Sequence, residues 1–234
     1  MATNFNIFKN LQLDEKHHSN ILKRLLSPNG SHNKNEKFLH LFLDSIGIKD
    51  VKIEILNNAE VTTEKKAGKK GRVDLYIKFQ NHVILIENKI TGATNQPNQL
   101  YRYWKNLIIP KIQIPLKEND INKMDDLQKQ RYFNDIFQST IIKDQSKLVY
   151  LTYGNNAENI DQSKTKPVNK TYNSTYKHLP PVLPMDVIEL NYQNHIIRWL
   201  ENCLQELSKE NDEILYIFIQ QYKDYLNNYF PHNR

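Results

Sequence analysis

Residues 72–89 read RVDLYIKFQNHVILIENK, and this stretch decides the fold. Arg72 to Phe79 and His82 to Asn88 are two runs rich in branched and aromatic residues, the composition of β-strands. Only Gln80 and Asn81 separate them, so the two runs form a short antiparallel hairpin. Apolar residues occupy both faces of each strand: Val73, Leu75, Ile77 and Phe79 on one, Val83, Ile84, Leu85 and Ile86 on the other. A strand pair of that kind belongs at the centre of a sheet covered by helices on two sides.

A turn at Gln80-Asn81 also sets the register. Phe79 then faces His82, Tyr76 faces Leu85, and Asp74 lies opposite Glu87, while Lys89 emerges on the same face as Glu87 because side chains repeat every two residues. Facing side chains have Cβ atoms roughly 4.5–5.5 Å apart, and like charges there are destabilising. In apolar surroundings the repulsion is worse, since little water screens it. A divalent cation is the natural compensation. Mg²⁺ takes oxygen ligands, typically one or two carboxylates plus waters and substrate phosphates, and it can polarise a phosphoryl oxygen and acidify an attacking water. An ammonium group beside it can stabilise charge on phosphorus or orient the water. Asp74, Glu87 and Lys89 together therefore make a coherent phosphodiesterase site. Taken singly, Asp74 reads more readily as an exposed strand residue, and Glu87 and Lys89 as a solvated strand end.

Outward from the hairpin, Ile21, Leu22, Leu25 and Leu26 recur at helical spacing behind an Asp14 N-cap, and Ser27-Pro28-Asn29-Gly30 ends that helix. Phe38, Leu39, Leu41, Phe42 and Ile46 predict a second helix closed by Gly47. Val51 to Leu56 alternates apolar and polar residues, which predicts a strand, and Glu64 to Gly71 reads as a lysine- and glycine-rich connection. Beyond the hairpin the pattern predicts a helix from about Gln96 to Ile108, an irregular stretch over 110–122, a helix over 124–138 and a strand over 147–152. A long polar loop over 155–184, a short strand over 187–190, and helices over about 194–207 and 212–229 complete the chain. No internal repeat is present.

The chain has 234 residues, enough for a sizeable core, with 39% hydrophobic and 25% charged residues. No apolar run approaches the roughly 20 residues needed to span a bilayer. Residues 1–9 lack a basic stretch followed by an apolar one, which argues against a secretory signal. The single Cys203 excludes an internal disulfide framework and a cysteine-rich zinc site. The default compartment is the cytoplasm. A net charge of +6 is compatible with a polyanionic partner.

With those residues in place, the chain resembles the PD-(D/E)XK nuclease superfamily. Arg72-Val73-Asp74 followed by Ile84-Leu85-Ile86-Glu87-Asn88-Lys89 is similar to its acidic residue, hairpin and Glu-x-Lys motif, with Val73 where the named motif has proline. Gln99-Leu100-Tyr101-Arg102-Tyr103 resembles the Gln-x-x-x-Tyr motif of RecB-like members, and Gln99 and Tyr103 share one helix face. Glu15-Lys16-His17-His18-Ser19, Leu148-Val149-Tyr150-Leu151-Thr152 and Ile188-Glu189-Leu190-Asn191-Tyr192 extend the likeness over most of the chain, to an uncharacterised bacterial branch.

The resemblance implies an α/β fold: a mixed central sheet of about four strands flanked by helices, a restriction-endonuclease-like core over about 48–154, N-terminal helices over 14–47 and a C-terminal helical pair, all in one domain. It implies a cytoplasmic nuclease that hydrolyses phosphodiester bonds in DNA, ahead of RNA, with Mg²⁺ or Mn²⁺, in defence against foreign DNA or genome maintenance. Asp74 and Glu87 would hold the ion with help from the Asn88 carbonyl. Lys89 would serve the nucleophile, and Gln99 and Tyr103 would position the substrate. Glu15 matches the first-helix acid that completes the metal shell in such nucleases, or is a helix-start carboxylate favoured by the dipole. Glu64 is a second supporting carboxylate or a solvated one, and His18 a support for Glu15 or the scissile phosphate, or a helix-surface residue. Lys65, Lys66, Lys69, Lys70 and Arg72 form either a phosphate-gripping loop or an exposed connection, with Arg102 a further nucleic-acid contact. Tyr101, Tyr103 and Trp104 offer stacking surface or core, whereas Tyr216, Phe218, Ile219 and Tyr222 are packing residues. The alternative is a catalytically silent nucleic-acid-binding or partner-regulated module on the same fold. The long loop and C-terminal helices leave room for a homo-oligomer or protein partner.

Overall fold

The computed structural model describes residues 5–228 apart from 12, 50, 69–70, 91–95, 113, 155–159 and 168–176. Helix α1 (Glu15–Leu26) starts at Asp14, whose carboxylate accepts the His17 N–H at 2.9 Å. Helix α2 (Lys37–Ser45) is followed by a turn at Gly47, whose φ of 78° suits a residue without a Cβ. The two helices bury the apolar stripes that their spacing predicts.

The segment after them departs from its pattern. Alternation predicts a strand over 51–56, but Ile53–Leu56 is a single helical turn, α3. A strand needs a partner for its backbone groups, and the place beside the hairpin is taken by β1 (Glu60–Lys66). β1 contains just one buried residue, Val61, so apolar alternation cannot reveal it. Glu64, Lys65 and Lys66, expected in a connection, are its last residues. Lysines suit an edge strand because they discourage further pairing.

β2 (Arg72–Phe79) and β3 (His82–Lys89) form the expected hairpin, with Phe79↔His82, Tyr76↔Leu85 and Leu75↔Ile86 in register. β4 (Ser146–Thr152) runs parallel to β3, and β5 (Val187–Asn191) parallel to β4. The sheet is thus mixed, with five strands in the order β1-β2-β3-β4-β5 rather than about four. Its fifth strand lies beyond the expected core of 48–154.

Between β3 and β4 come α4 (Gln99–Tyr103), which continues through a π-helical turn at Trp104–Ile108, then α5 (Glu118–Asn122), α6 (Asp126–Gln138) and α7 (Thr140–Gln145). The expected long loop contains α8 (Ile160–Lys164) and a bridge from Thr165 to Val182, and part of it lies outside the described residues. A π-helical turn at Tyr192–Ile196 leads into α9 (Ile197–Gln205), and α10 (Glu213–Asn228) follows.

Two apolar layers sandwich the sheet. On one side α1, α2, α9 and α10 cover Leu75, Ile77, Ile84, Ile86, Val149 and Leu151. On the other, α4, its π turn and α6 cover Tyr76, Val83, Leu85, Leu148 and Tyr150. The Trp199 indole donates to the Phe38 carbonyl at 3.0 Å, which ties α9 to α2 without leaving a buried donor unmet. Val73 breaks the alternation of β2, since it joins the second layer although Leu75 belongs to the first. The alternation of β2 therefore changes at Asp74. Among the described residues no helix is long and apolar enough to cross a membrane.

Ile84 is fully buried in the central strand. Ile84→Ala should cost about 2–5 kcal/mol of stability through lost transfer energy and a residual cavity, read as a lower denaturant midpoint at unchanged m-value. A loss below about 1 kcal/mol would contradict the two-layer core.

Candidate active site

The β2–β3 ladder ends at Leu75↔Ile86, whereas β2 stays paired with β1 as far as Arg72↔Lys66. β2 thus leaves β3 and carries β1 with it, so a fork opens where Asp74 and Glu87 sit. Asp74 was expected as the direct partner of Glu87; beyond Leu75 its carboxylate instead accepts the Asn88 N–H at 2.7 Å. That bond gives the amide a partner where the strand no longer supplies one. Glu64 falls abreast of Asp74 in the β1–β2 register. Its backbone has φ of 56°, and its carboxylate lies 3.3 Å from Arg72 Nη1 at the surface. Glu64 is a solvated carboxylate in this arrangement.

Glu87 is 1% exposed and held by three side chains. Gln99 Nε2 donates to Oε1 at 2.6 Å, Lys89 Nζ lies 2.9 Å from the same oxygen, and Tyr103 O–H reaches Oε2 at 2.8 Å. Gln99 also donates to the Tyr103 oxygen at 2.7 Å. The single Tyr103 proton has a second acceptor in the Arg72 carbonyl at 2.5 Å, on the far arm of the fork. The sequence places Gln99 and Tyr103 against substrate. Both are buried against Glu87, because the i, i+4 spacing aims the pair at one carboxylate.

Asn88, between Glu87 and Lys89, points into the opposite layer. Its Nδ2 donates to the Glu15 carbonyl at 3.2 Å and to Ser19 Oγ at 3.0 Å, and its Oδ1 accepts from Tyr192 O–H at 3.2 Å. Glu15 accordingly reaches the site: its Oε1 accepts the Ile90 N–H at 3.3 Å and its Oε2 is 4.0 Å from Lys89 Nζ. Sequence reasoning found Glu15 but missed Ser19 and Tyr192. A serine one helical turn after Glu15 was the available signal, whereas nothing local marks Tyr192.

The electrostatics are those of too much negative charge in too little water. Burial, and after it the neighbouring Glu87, push the Asp74 carboxyl up to about 8, against the opposing pull of the Asn88 N–H and Lys89. Burial raises Glu87 too, with Lys89 opposing. Burial alone would lower the Lys89 ammonium, but Glu87 beside it more than compensates and its pKa rises. One ammonium thus faces two interior carboxylates, the deficit a divalent cation corrects. The donors are oxygens, which suits a hard cation such as Mg²⁺ or Mn²⁺. Among the described residues no group of three or more His, Cys, Asp or Glu is gathered closely enough to hold a metal by itself, so a cation here would draw on the two carboxylates together with main-chain oxygen, water or substrate.

Other expected contacts fall elsewhere. Lys69 and Lys70 lie outside the described residues. Lys65 and Lys66 sit on the edge strand rather than in a loop, with Lys65 Nζ 3.0 Å from Glu60. Arg72 is exposed, and Arg102 donates to the Pro97 carbonyl at 2.9 Å and to Gln96 Oε1 at 3.1 Å. Tyr101, Tyr103 and Trp104 are all core, so none offers a stacking surface. His18 is not at the helix surface: it is buried, its Nδ1 lies 2.7 Å from the Tyr222 hydroxyl, and desolvation lowers it to about 3, hence neutral.

A family model described as the PD-(D/E)XK nuclease superfamily matches residues 5–224, which include every site residue above. No curated protein and no solved structure matches the chain.

The raised Asp74 carboxyl has a measurable consequence. The folded state holds this proton up to about 8 and the unfolded state only to 3.8. Stability linked to it is therefore whole below the unfolded value, declines as the pH rises between the two, and is lost above the folded one. In EDTA, Asp74→Asn should gain unfolding temperature relative to the parent as the pH rises from about 5 to 8. Mg²⁺ should restore the parent more at about pH 8.5 than at 6, because the cation takes the place of the proton. Parallel pH profiles for parent and variant would refute the assignment.

Proposed function

Because the chain belongs to the PD-(D/E)XK nuclease superfamily, we propose that it hydrolyses phosphodiester bonds in DNA, ahead of RNA, in a reaction dependent on Mg²⁺ or Mn²⁺. The observation that carries this reading is the meeting of Asp74, Glu87 and Lys89 in one fork, with Lys89 Nζ 2.9 Å from Glu87 Oε1. Asp74 and Glu87 are the side chains that would hold the cation, assisted by the Asn88 carbonyl. When bound, the cation supplies Lewis-acid polarisation of a phosphoryl oxygen and acidifies the attacking water.

The remaining work falls to the protein. Lys89 has a raised pKa and keeps its proton, so it acts as a donor that orients the incoming water and stabilises charge on the phosphorane, not as a general base. Glu15 steadies that ammonium from the far side. Gln99 and Tyr103 are positioning residues that fix the Glu87 carboxylate before the substrate arrives. Lys69, Lys70, Arg72 and Arg102 remain candidates for contact with the phosphate backbone, supported by the positive net charge of the chain. A silent module on the same fold would have no need to keep an acid pair, its ammonium and the clamp on Glu87 together.

Cleavage of linear, circular and single-stranded DNA, and of matched RNA, with Mg²⁺, Mn²⁺ or EDTA tests the reading. Lys89→Ala should lower kcat by about 10²–10³-fold, Asp74→Ala should abolish both cutting and cation binding, and Gln99→Ala should weaken cation binding by about 10–100-fold. A parent that binds no divalent cation and cuts none of these substrates, or an Asp74→Ala variant as active as the parent, would sink it.

A further inference from the structure

Asn88 is fully buried, and its side-chain amide leaves no freedom in how its neighbours are protonated. Nδ2 faces two acceptors, the Glu15 carbonyl and Ser19 Oγ, so it must donate to both. Oδ1 is then the end that faces Tyr192, and the Tyr192 hydroxyl must donate its only proton to it at 3.2 Å. The Tyr192 and Tyr222 hydroxyls are also hydrogen-bonded. With its proton committed, Tyr192 can only accept there, so Tyr222 donates. Tyr222 in turn must accept across its 2.7 Å contact with His18 Nδ1, which makes Nδ1–H the tautomer of the neutral ring. Every bond in the series points the same way, from α1 through α10 and the π-helical turn after β5 to the middle residue of Glu87-Asn88-Lys89.

We infer that Tyr192, with Tyr222 and His18 behind it, positions Asn88, and through it the backbone N–H that holds Asp74. The consequence for cation binding rests on the function proposed above; the positioning itself does not. The Glu15 carbonyl and Ser19 hold the Nδ2 end of Asn88, and Tyr192 is the donor that holds its Oδ1 end. The C-terminal helices are thus part of the site's construction, although the nearest of these hydroxyls is more than 100 residues from Asn88 in sequence.

Full-length Tyr192→Phe and Tyr222→Phe decide the matter, because each keeps the ring and removes only a hydroxyl. The first measurement is amide hydrogen exchange in EDTA. Tyr192→Phe should speed exchange at Asn88 by at least about tenfold while Ile84 and Leu85 in the same strand keep the parent rate. Tyr222→Phe should move Asn88 in the same direction by less. The second is Mn²⁺ affinity by calorimetry, expected to fall about 10–100-fold, and the third is cleavage, with kcat reduced and KM unchanged. Exchange at Asn88 as slow as in the parent, or accelerated equally along all of β3, would overturn the inference, the latter because it marks a purely structural loss. If Tyr192→Phe does not fold, Tyr222→Phe carries the same comparison. A parent that binds no cation would defeat the functional reading alone, since the exchange result in EDTA is independent of it.

Discussion

Two carboxylates share a fork from which most water is excluded, and the architecture around them answers that one constraint. An unpaired interior charge is costly, so a buried carboxylate must be paired, hydrogen-bonded or protonated. Glu87 receives Gln99, Tyr103 and Lys89. Asp74 receives a backbone N–H and shares the influence of the same ammonium. These donors hold the groups in place without balancing their charge, and the Asp74 carboxyl accordingly clings to its proton to about 8. On the function proposed, a site in this condition would be prepared for a cation that takes the place of that proton. The cost borne by the metal-free fold is the counterpart of that preparation.

The fork in turn explains why the sheet is mixed. The antiparallel side allows β2 to turn back on β3 through two residues and then to part from it, with β1 keeping the departing arm paired. The parallel side, β3 to β5, holds the end of β3 rigid up to Lys89↔Thr152 and Thr152↔Asn191. One arm of the fork can open only because the other is anchored. Tyr103, reaching both Glu87 and the Arg72 carbonyl, spans the gap.

What could be read from the sequence follows from the same geometry. The hairpin register was legible because a two-residue connection leaves no freedom and both strands carry apolar residues on both faces. Glu87, Lys89, Gln99 and Tyr103 were legible because their relations are local, two or four residues apart. The parting of the strands at Asp74 was not, since side-chain type along β2 does not announce where a ladder stops. β1 escaped because an edge strand buries little, and 51–56 was misassigned because alternation over six residues cannot tell a strand from a buried helical turn without knowing which edge is free. The burial of Gln99 and Tyr103 against Glu87 was not legible for a related reason: spacing shows which residues share a face, not whether that face meets solvent.

The last step concerns the residue between the acid and the lysine. Successive residues of a strand point to opposite faces, so Glu87 and Lys89 face the chemistry and Asn88 must face the supporting layer. That layer offers Asn88 two acceptors and one donor. A side chain of this size that donates twice and accepts once is a primary amide. Aspartate at 88 would turn an acceptor toward the Glu15 carbonyl and bury a further charge in the supporting layer. Leucine would leave the Tyr192 hydroxyl and Ser19 facing hydrocarbon. The middle position of the motif is therefore constrained as tightly as its two ends, by partners on α1 and the turn after β5. On the positioning inferred above, that layer fixes the residue between the second acid and the lysine, and with it the N–H that Asp74 accepts.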